Sequence, residues 1–157
     1  MSKEHLAVYL NDHLAGANLA LEIVDHLADE TPDLASSLAT LKAEIDEDRG
    51  QLKALMASLN ISESRVRKAG SWIAEQVAEA KLEVDDDQNG PLRRLERLEA
   101  LVLGIEGKIA LWRALDAVPE KGAIGQINYE RLCRRGEEQQ ARIEVWRLQA
   151  ARDALLI

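Results

Sequence analysis

The sequence contains no phenylalanine, and aromatic residues make up only 3% of its 157 residues. Sheet proteins rely on aromatic and β-branched side chains, so this scarcity argues against β-structure. Leucine, alanine, glutamate and arginine dominate instead, and all four favour helices. Proline occurs three times, at Pro32, Pro91 and Pro119, and each falls where a helix would begin or end. The composition therefore predicts an all-α fold.

Cysteine occurs once, at Cys133, which excludes an intrachain disulfide and indicates a reducing compartment. No stretch approaches the roughly 18 uncharged apolar residues that a transmembrane helix needs. Near the N-terminus, Glu4 and Asp12 stand where a secretory signal would need an apolar run. We therefore expect a cytoplasmic protein that does not engage a membrane.

Basic residues are outnumbered, since the formal net charge is −8. The excess is uneven: residues 1–60 hold four Lys or Arg against eleven Asp or Glu, and residues 126–157 hold six against five. Arg131, Arg134 and Arg135 form a local basic strip, but the sequence offers no aromatic stacking platform beside it. Nucleic-acid binding needs a basic face that neutralises phosphates, so we expect none here.

Apolar residues recur every three or four positions along four long segments, as they do on one face of a helix. The predicted helices run from Lys3 to Glu30, from an N-cap at Thr31 to Asn60, from Pro91 to Val118 and from Gly125 to Ala154, with a shorter helix from Ser62 to Val84. Four long helices can enclose one core, and the short fifth helix then lies in the crossover between long helices two and three. We expect a single helical-bundle domain over residues 1–157.

This helix order resembles the ferritin-like superfamily, whose four-helix bundles have one long crossover. The runs LNDHLAGANLALEIVDHL in the first helix and GIEGKIALWRAL in the third long helix are similar to an uncharacterised bacterial group described as ferritin-like. The resemblance covers nearly the whole chain and implies a ferritin-like bundle.

Ferritin-like iron proteins place a Glu-x-x-His pair on each of two helices. The three histidines of this chain, His5, His13 and His26, all lie on the first helix, and none has a glutamate three residues before it. The usual di-iron site therefore cannot be built, and we predict no cofactor.

One acidic residue interrupts the apolar stripe of the second helix. Asp48 takes a position equivalent to that of Leu41, Ile45 and Leu52, so we predict that it is buried. An unpaired buried carboxylate is costly, and antiparallel packing of the first two helices brings His13 near its level. We predict that Asp48 pairs with His13 or another polar core group. The pair serves either to fix helix register or as a remnant acid–base site, and we favour the former.

Three other sets of residues are weaker candidates for a functional site. Glu22 and His26 are four residues apart on one helix, which is a spacing that can hold a metal ion or form a surface pair. Glu137 and Glu138 are candidates to reach a central cavity that contains Asp48 and to form a carboxylate-only site there. Cys133 precedes two arginines, which would lower its thiol pKa, but a small apolar packing role is favoured.

Small and polar residues occupy parts of the last two helices. The apolar stripe of the last helix reads Leu132, Gly136, Gln139 and Ile143, and its middle is small and polar. The Gly107-Lys108 pair lacks the remaining residues of a phosphate loop. We expect the glycines of these helices, Gly104 and Gly136, to permit close helix contacts.

No catalytic motif appears, and the sequence leaves two functions open. The first is a non-catalytic helical scaffold or protein-interaction protein that forms a homodimer. Leu101, Leu103 and Leu111 lie off the main stripe and suggest a further buried surface, against either the crossover helix or a second subunit. The second is a ferritin-like protein with an atypical metal site, for which the candidate ligands are His13, Asp48, Glu22 and His26. An enzymatic activity is not predicted.

Overall fold

The computed structural model describes residues 3–64, 90–119 and 122–156, and this part of the chain is all helical. Its long helices are α1 (Lys3–Glu30), α2 (Ala35–Ser58), α3 (Gly90–Asp116) and α4 (Tyr129–Leu155). Single 3₁₀ turns, Pro32–Leu34 and Ile124–Gln126, precede α2 and α4. The predicted all-α fold is confirmed. The predicted short helix between Ser62 and Val84 lies almost entirely outside the described residues.

The helix ends follow local chemistry, and two of them correct the sequence prediction. Thr31 makes no side-chain cap, because Pro32 opens a 3₁₀ turn in which Thr31 offers only its carbonyl, to Leu34 N at 3.0 Å. The last helix begins at Tyr129 rather than Gly125, because the Asn128 side chain caps it by accepting from Arg131 N.

The predicted end of α2 at Asn60 is confirmed. Asn60 has a φ of 54°, the left-handed conformation in which helices commonly stop. Ile61 N then donates back to Met56 O at 2.9 Å, which satisfies a carbonyl of the last turn.

Cross-helix contacts give the helix directions. Lys42 binds Asp25 and Arg49 binds Asn18, so α1 and α2 are antiparallel neighbours. Helices α3 and α4 are also antiparallel, since Glu99 pairs with Arg147 and Glu106 accepts a hydrogen bond from Gln140.

The buried apolar residues form two clusters, one toward each end of the molecule. The first joins the C-terminal half of α1, the N-terminal halves of α2 and α3, and the C-terminal half of α4. The second joins Leu10 and Leu14 of α1 with Leu52 and its neighbours in α2, the C-terminal end of α3 and the N-terminal end of α4. Helices α2 and α3 are therefore parallel, and residues 59–89 separate them in sequence.

The off-stripe leucines have different environments. Leu101 and Leu111 are almost fully buried within the chain, so they do not require a second subunit. Leu103 is 62% exposed. None of the described helices combines the length and the apolarity that crossing a bilayer requires.

Candidate functional site

Polar side chains lie between the two apolar clusters. Asp48 belongs to the buried face of α2 and is 2% exposed, which confirms its predicted burial. Gln139 of α4 is fully buried, and Lys108 of α3 is largely buried. We call these three residues, Asp48, Lys108 and Gln139, the polar layer.

The partner of Asp48 is Lys108 rather than His13. Lys108 Nζ donates to Asp48 Oδ2 at 2.6 Å and to Gln139 Oε1 at 2.5 Å, and Gln139 Nε2 lies 3.3 Å from the same Asp48 oxygen. Arg135 Nε lies 3.5 Å from Asp48 Oδ1. Since two cationic side chains contact the carboxylate, its negative charge is compensated inside the protein. The predicted Asp48–His13 pair is wrong, because α3 supplies a stronger partner at this level.

Burial lowers the pKa of Lys108, while the neighbouring Asp48 carboxylate acts in the opposite direction. The ammonium group therefore loses hydration and regains part of that free energy from Asp48 and Gln139. This balance makes the three side chains of the polar layer dependent on one another.

A charged surface between α2 and α4 continues the polar layer outward. Arg135 donates to Glu47 at 2.9 Å and to the Glu44 carbonyl at 2.9 Å, and Arg142 pairs with the Glu44 carboxylate. The hydrogen bond from Arg135 lowers the pKa of Glu47. Arg131 also approaches Glu47, at 3.9 Å. The arginines of the basic strip are thus paired, Arg131 and Arg135 with Glu47 of α2 and Arg134 with Glu130 of its own helix.

His13 lies next to the polar layer without being part of it. The histidine is half-buried, and its ring packs edge-to-face with Tyr9 at a centroid distance of 4.7 Å. Burial lowers the pKa of His13 from 6.5 to about 4, so the imidazole is neutral at physiological pH.

A cavity of about 30 Å³ separates His13 from the charged groups. Its walls come from α1, α2 and α3 and include His13, Asp48, Lys108, Gly104 and Trp112. A volume of this size accommodates about two water molecules and no organic substrate. The side chains that line this cavity can hold a proton or water, but the cavity leaves no room for a small-molecule substrate to react.

The remaining predicted site residues do not join this region. Glu22 and His26 are exposed on α1 and do not line the cavity. Glu137 and Glu138 are exposed, and their neighbour Gln139 reaches the centre instead. Within residues 3–64, 90–119 and 122–156, no group of three or more His, Cys, Asp or Glu side chains is placed to hold a metal ion.

Cys133 and the glycines correct two further expectations. Burial raises the pKa of the Cys133 thiol, which outweighs the effect of the nearby Arg113. A Cβ on Gly136 would lie 2.6 Å from Ile109 Cγ1, so this glycine does permit close contact between α3 and α4. A Cβ on Gly104 would meet nothing within 4 Å, because Gly104 faces the cavity.

Neither Lys108 nor Gln139 is predicted from the sequence as a member of the site. Gln139 carried a signal, because it occupies a core position of its helix where the other residues are apolar or small. Lys108 carried none, since it lies beside the apolar stripe and reaches the centre through its long side chain.

Comparison with known proteins adds no relative. The sequence matches no protein-family model and no curated protein, and no solved structure matches either. The ferritin-like resemblance therefore stays a prediction.

Proposed function

We propose that this chain is a non-catalytic helical interaction protein that acts as a homodimer. The observation that carries the proposal is a row of exposed apolar side chains on the outer side of α4. Val145 is 66% exposed and Leu155 is 61% exposed, and Leu148 lies between them. We call these three residues the α4 apolar face. Leu156, exposed just beyond the helix end, extends it.

The spacing of the α4 apolar face supports an interface. Single exposed leucines are normal on protein surfaces, but these recur at intervals of three and seven residues and so share one side of the helix. Spacing of this kind is typical of the apolar seam along which two helices pack. Removing apolar surface from water contributes about 25 cal/mol per Å², so a partner that covers the row gains free energy.

Charge favours a second copy of the chain as the partner. Two copies that each carry a net charge of −8 repel over most of their surfaces. The segment containing α4 is not acidic, with six basic residues against five acidic ones, and residues 90–125, which contain α3, have the same balance. Contact through α4, which carries the apolar row, therefore keeps the strongly acidic residues 1–60 of the two copies away from the interface.

A metal-dependent function is less well supported. The carboxylate of Asp48, the best candidate ligand, is contacted by Lys108 and Arg135, and both cations would repel a bound metal ion. The other candidates, Glu22 and His26, are exposed on a single helix. We therefore do not propose the atypical ferritin-like metal site.

For the fold we propose the ferritin-like type. Consecutive helices that run in the same direction, as α2 and α3 do, need a long connection, and ferritin-like bundles have one long crossover at this point of the chain. Residues 59–89, between Ser58 and Gly90, are long enough for that role. The proposal concerns architecture only and implies no iron chemistry.

Light scattering of the purified protein at micromolar concentration tests the dimer. We expect a mass of twice 17.4 kDa for the natural chain and a monomer for Val145→Glu. Leu103→Glu is the matched control, because Leu103 is equally exposed but lies on α3, and we expect it to remain dimeric. A natural chain that stays monomeric would overturn the proposal, and circular dichroism verifies that each variant is folded.

A further inference from the structure

We infer that two copies pair through α4 in antiparallel orientation, with Val145 of one copy packed on Leu148 of the other. The inference rests on the proposed homodimer and adds which surface forms it and in which direction. Val145 and Leu148 are adjacent on the outer side of α4. A twofold axis that passes between them places Val145 of each copy against Leu148 of the other copy.

The inner side of α4 is already occupied by contacts within the chain. Gln139 and Arg142 contact α2, and Arg147 is held by Glu144 and by Glu99 of α3. The pKa of Arg147 is raised because its guanidinium donates hydrogen bonds to the Glu144 carboxylate. Within the described residues, the outer side with the apolar face is therefore the side from which a second copy can reach α4 without breaking these contacts.

Charges decide the orientation. Glu138 and Arg152 are exposed and stand seven residues before and after Val145, which places them on the same side of the helix. Parallel pairing would set Glu138 against Glu138 and Arg152 against Arg152. Antiparallel pairing brings Arg152 of each copy within one helical turn of Glu138 of the other. Opposite charges thus meet at both ends of the apolar contact.

The small side chain of Ala141 allows the two α4 helices to pack in this orientation. In this register Ala141 lies level with Arg152 of the second copy, and Ala141 is exposed and small. Its size leaves space for the arginine side chain to cross over it toward Glu138. The central contact is then apolar and each end is closed by an ion pair.

Cross-linking tests the orientation directly. Cys133→Ser serves as the background, and a short bifunctional maleimide joins single cysteines introduced at positions 138, 148 or 155. Leu148→Cys lies near the axis and should cross-link strongly. Glu138→Cys and Leu155→Cys should each give no cross-link alone, because the two equivalent cysteines of the dimer lie about 25 Å apart along the helix axis. A mixture of those two proteins should cross-link.

The outcomes separate this inference from the homodimer proposal. A dimer that cross-links equally well at all three positions is parallel and overturns the inference while the homodimer stands. A dimer that cross-links at none of them uses another surface and also overturns it. A natural chain that is monomeric by light scattering overturns both.

A charge exchange gives a second, independent measurement. Glu138→Arg should weaken dimerisation by roughly tenfold, because each attraction becomes a repulsion. Adding Arg152→Glu to the same chain should restore it, since opposite charges again meet between copies. If the double variant stays as weak as the single one, the antiparallel register is wrong.

Discussion

Lys108 and Asp48 depend on each other because neither charge can return to water without unfolding the centre of the molecule. The ammonium group donates to Asp48 at 2.6 Å, and the carboxylate is nearly inaccessible to solvent. Removing one member of a buried ion pair leaves the other charge uncompensated, whereas replacing both with apolar groups is often neutral or stabilising.

Asp48→Ala should lower the free energy of unfolding by about 3–5 kcal/mol, since Lys108 is left buried without its counter-ion. Replacing Asp48 with Leu and Lys108 with Met together should recover most of that loss. Urea denaturation measures both. Lys42→Ala is the control, because the Lys42–Asp25 pair has a similar distance but is exposed, and should cost less than about 1 kcal/mol. Equal costs for Asp48→Ala and Lys42→Ala would contradict the account.

His13 illustrates how burial favours the neutral form of an imidazole. Around the cavity that it lines stand Asp48 and Arg49 of α2 and Lys108 of α3. Asp48 is already compensated by Lys108. Desolvation therefore dominates, and the pKa of His13 is about 4.

Stability should fall as the pH is lowered from 6.5 to 4. In this window the unfolded chain binds a proton at His13 and the folded chain does not, so protons favour unfolding. The loss should reach about 3 kcal/mol at pH 4. Denaturation midpoints across this range should depend less on pH in His13→Asn than in the natural chain. His26→Asn, which alters an exposed histidine of the same helix, should keep the natural profile. An unchanged profile for His13→Asn would show that other groups cause the dependence.

At the scale of the element, α4 has three different sides. Its arginines meet the acidic side of α2, Gly136 lets α3 approach closely, and Val145 with its neighbours faces outward. The close approach depends on the missing side chain, because Ile109 fills the space that a Cβ would take.

Gly136→Ala should destabilise the protein by about 1–3 kcal/mol, since the added methyl group overlaps Ile109 and α3 must shift. Gly50→Ala, also within a helix but with nothing within 4 Å of its added Cβ, should stabilise by up to about 1 kcal/mol. Thermal denaturation of the two variants measures the contrast. If both substitutions stabilise the protein, α3 and α4 do not approach as closely as the structure shows.

At the scale of the molecule, the polar layer and the two clusters together define the pairing of the helices. Each apolar cluster would tolerate several helix registers, because apolar contacts are not directional. The hydrogen bonds among Asp48, Lys108 and Gln139 are directional, so a shift of one helix along another would break them. The layer thus supplies specificity, and the apolar clusters supply most of the free energy of folding. The same division recurs in the proposed dimer, where Val145 and Leu148 supply contact and Glu138 and Arg152 set direction.

The sequence by itself determined the local structure. Apolar periodicity located the four long helices, and the position of Asp48 within a stripe of leucines predicted its burial, because both depend on spacing along one chain. Only the tertiary structure decided which side chains meet. Lys108 and His13 both line the cavity beside Asp48, and no periodicity distinguishes them. The choice depends on how α3 packs against α2 and on the reach of a flexible side chain, which are properties of the packed helices and not of any one segment.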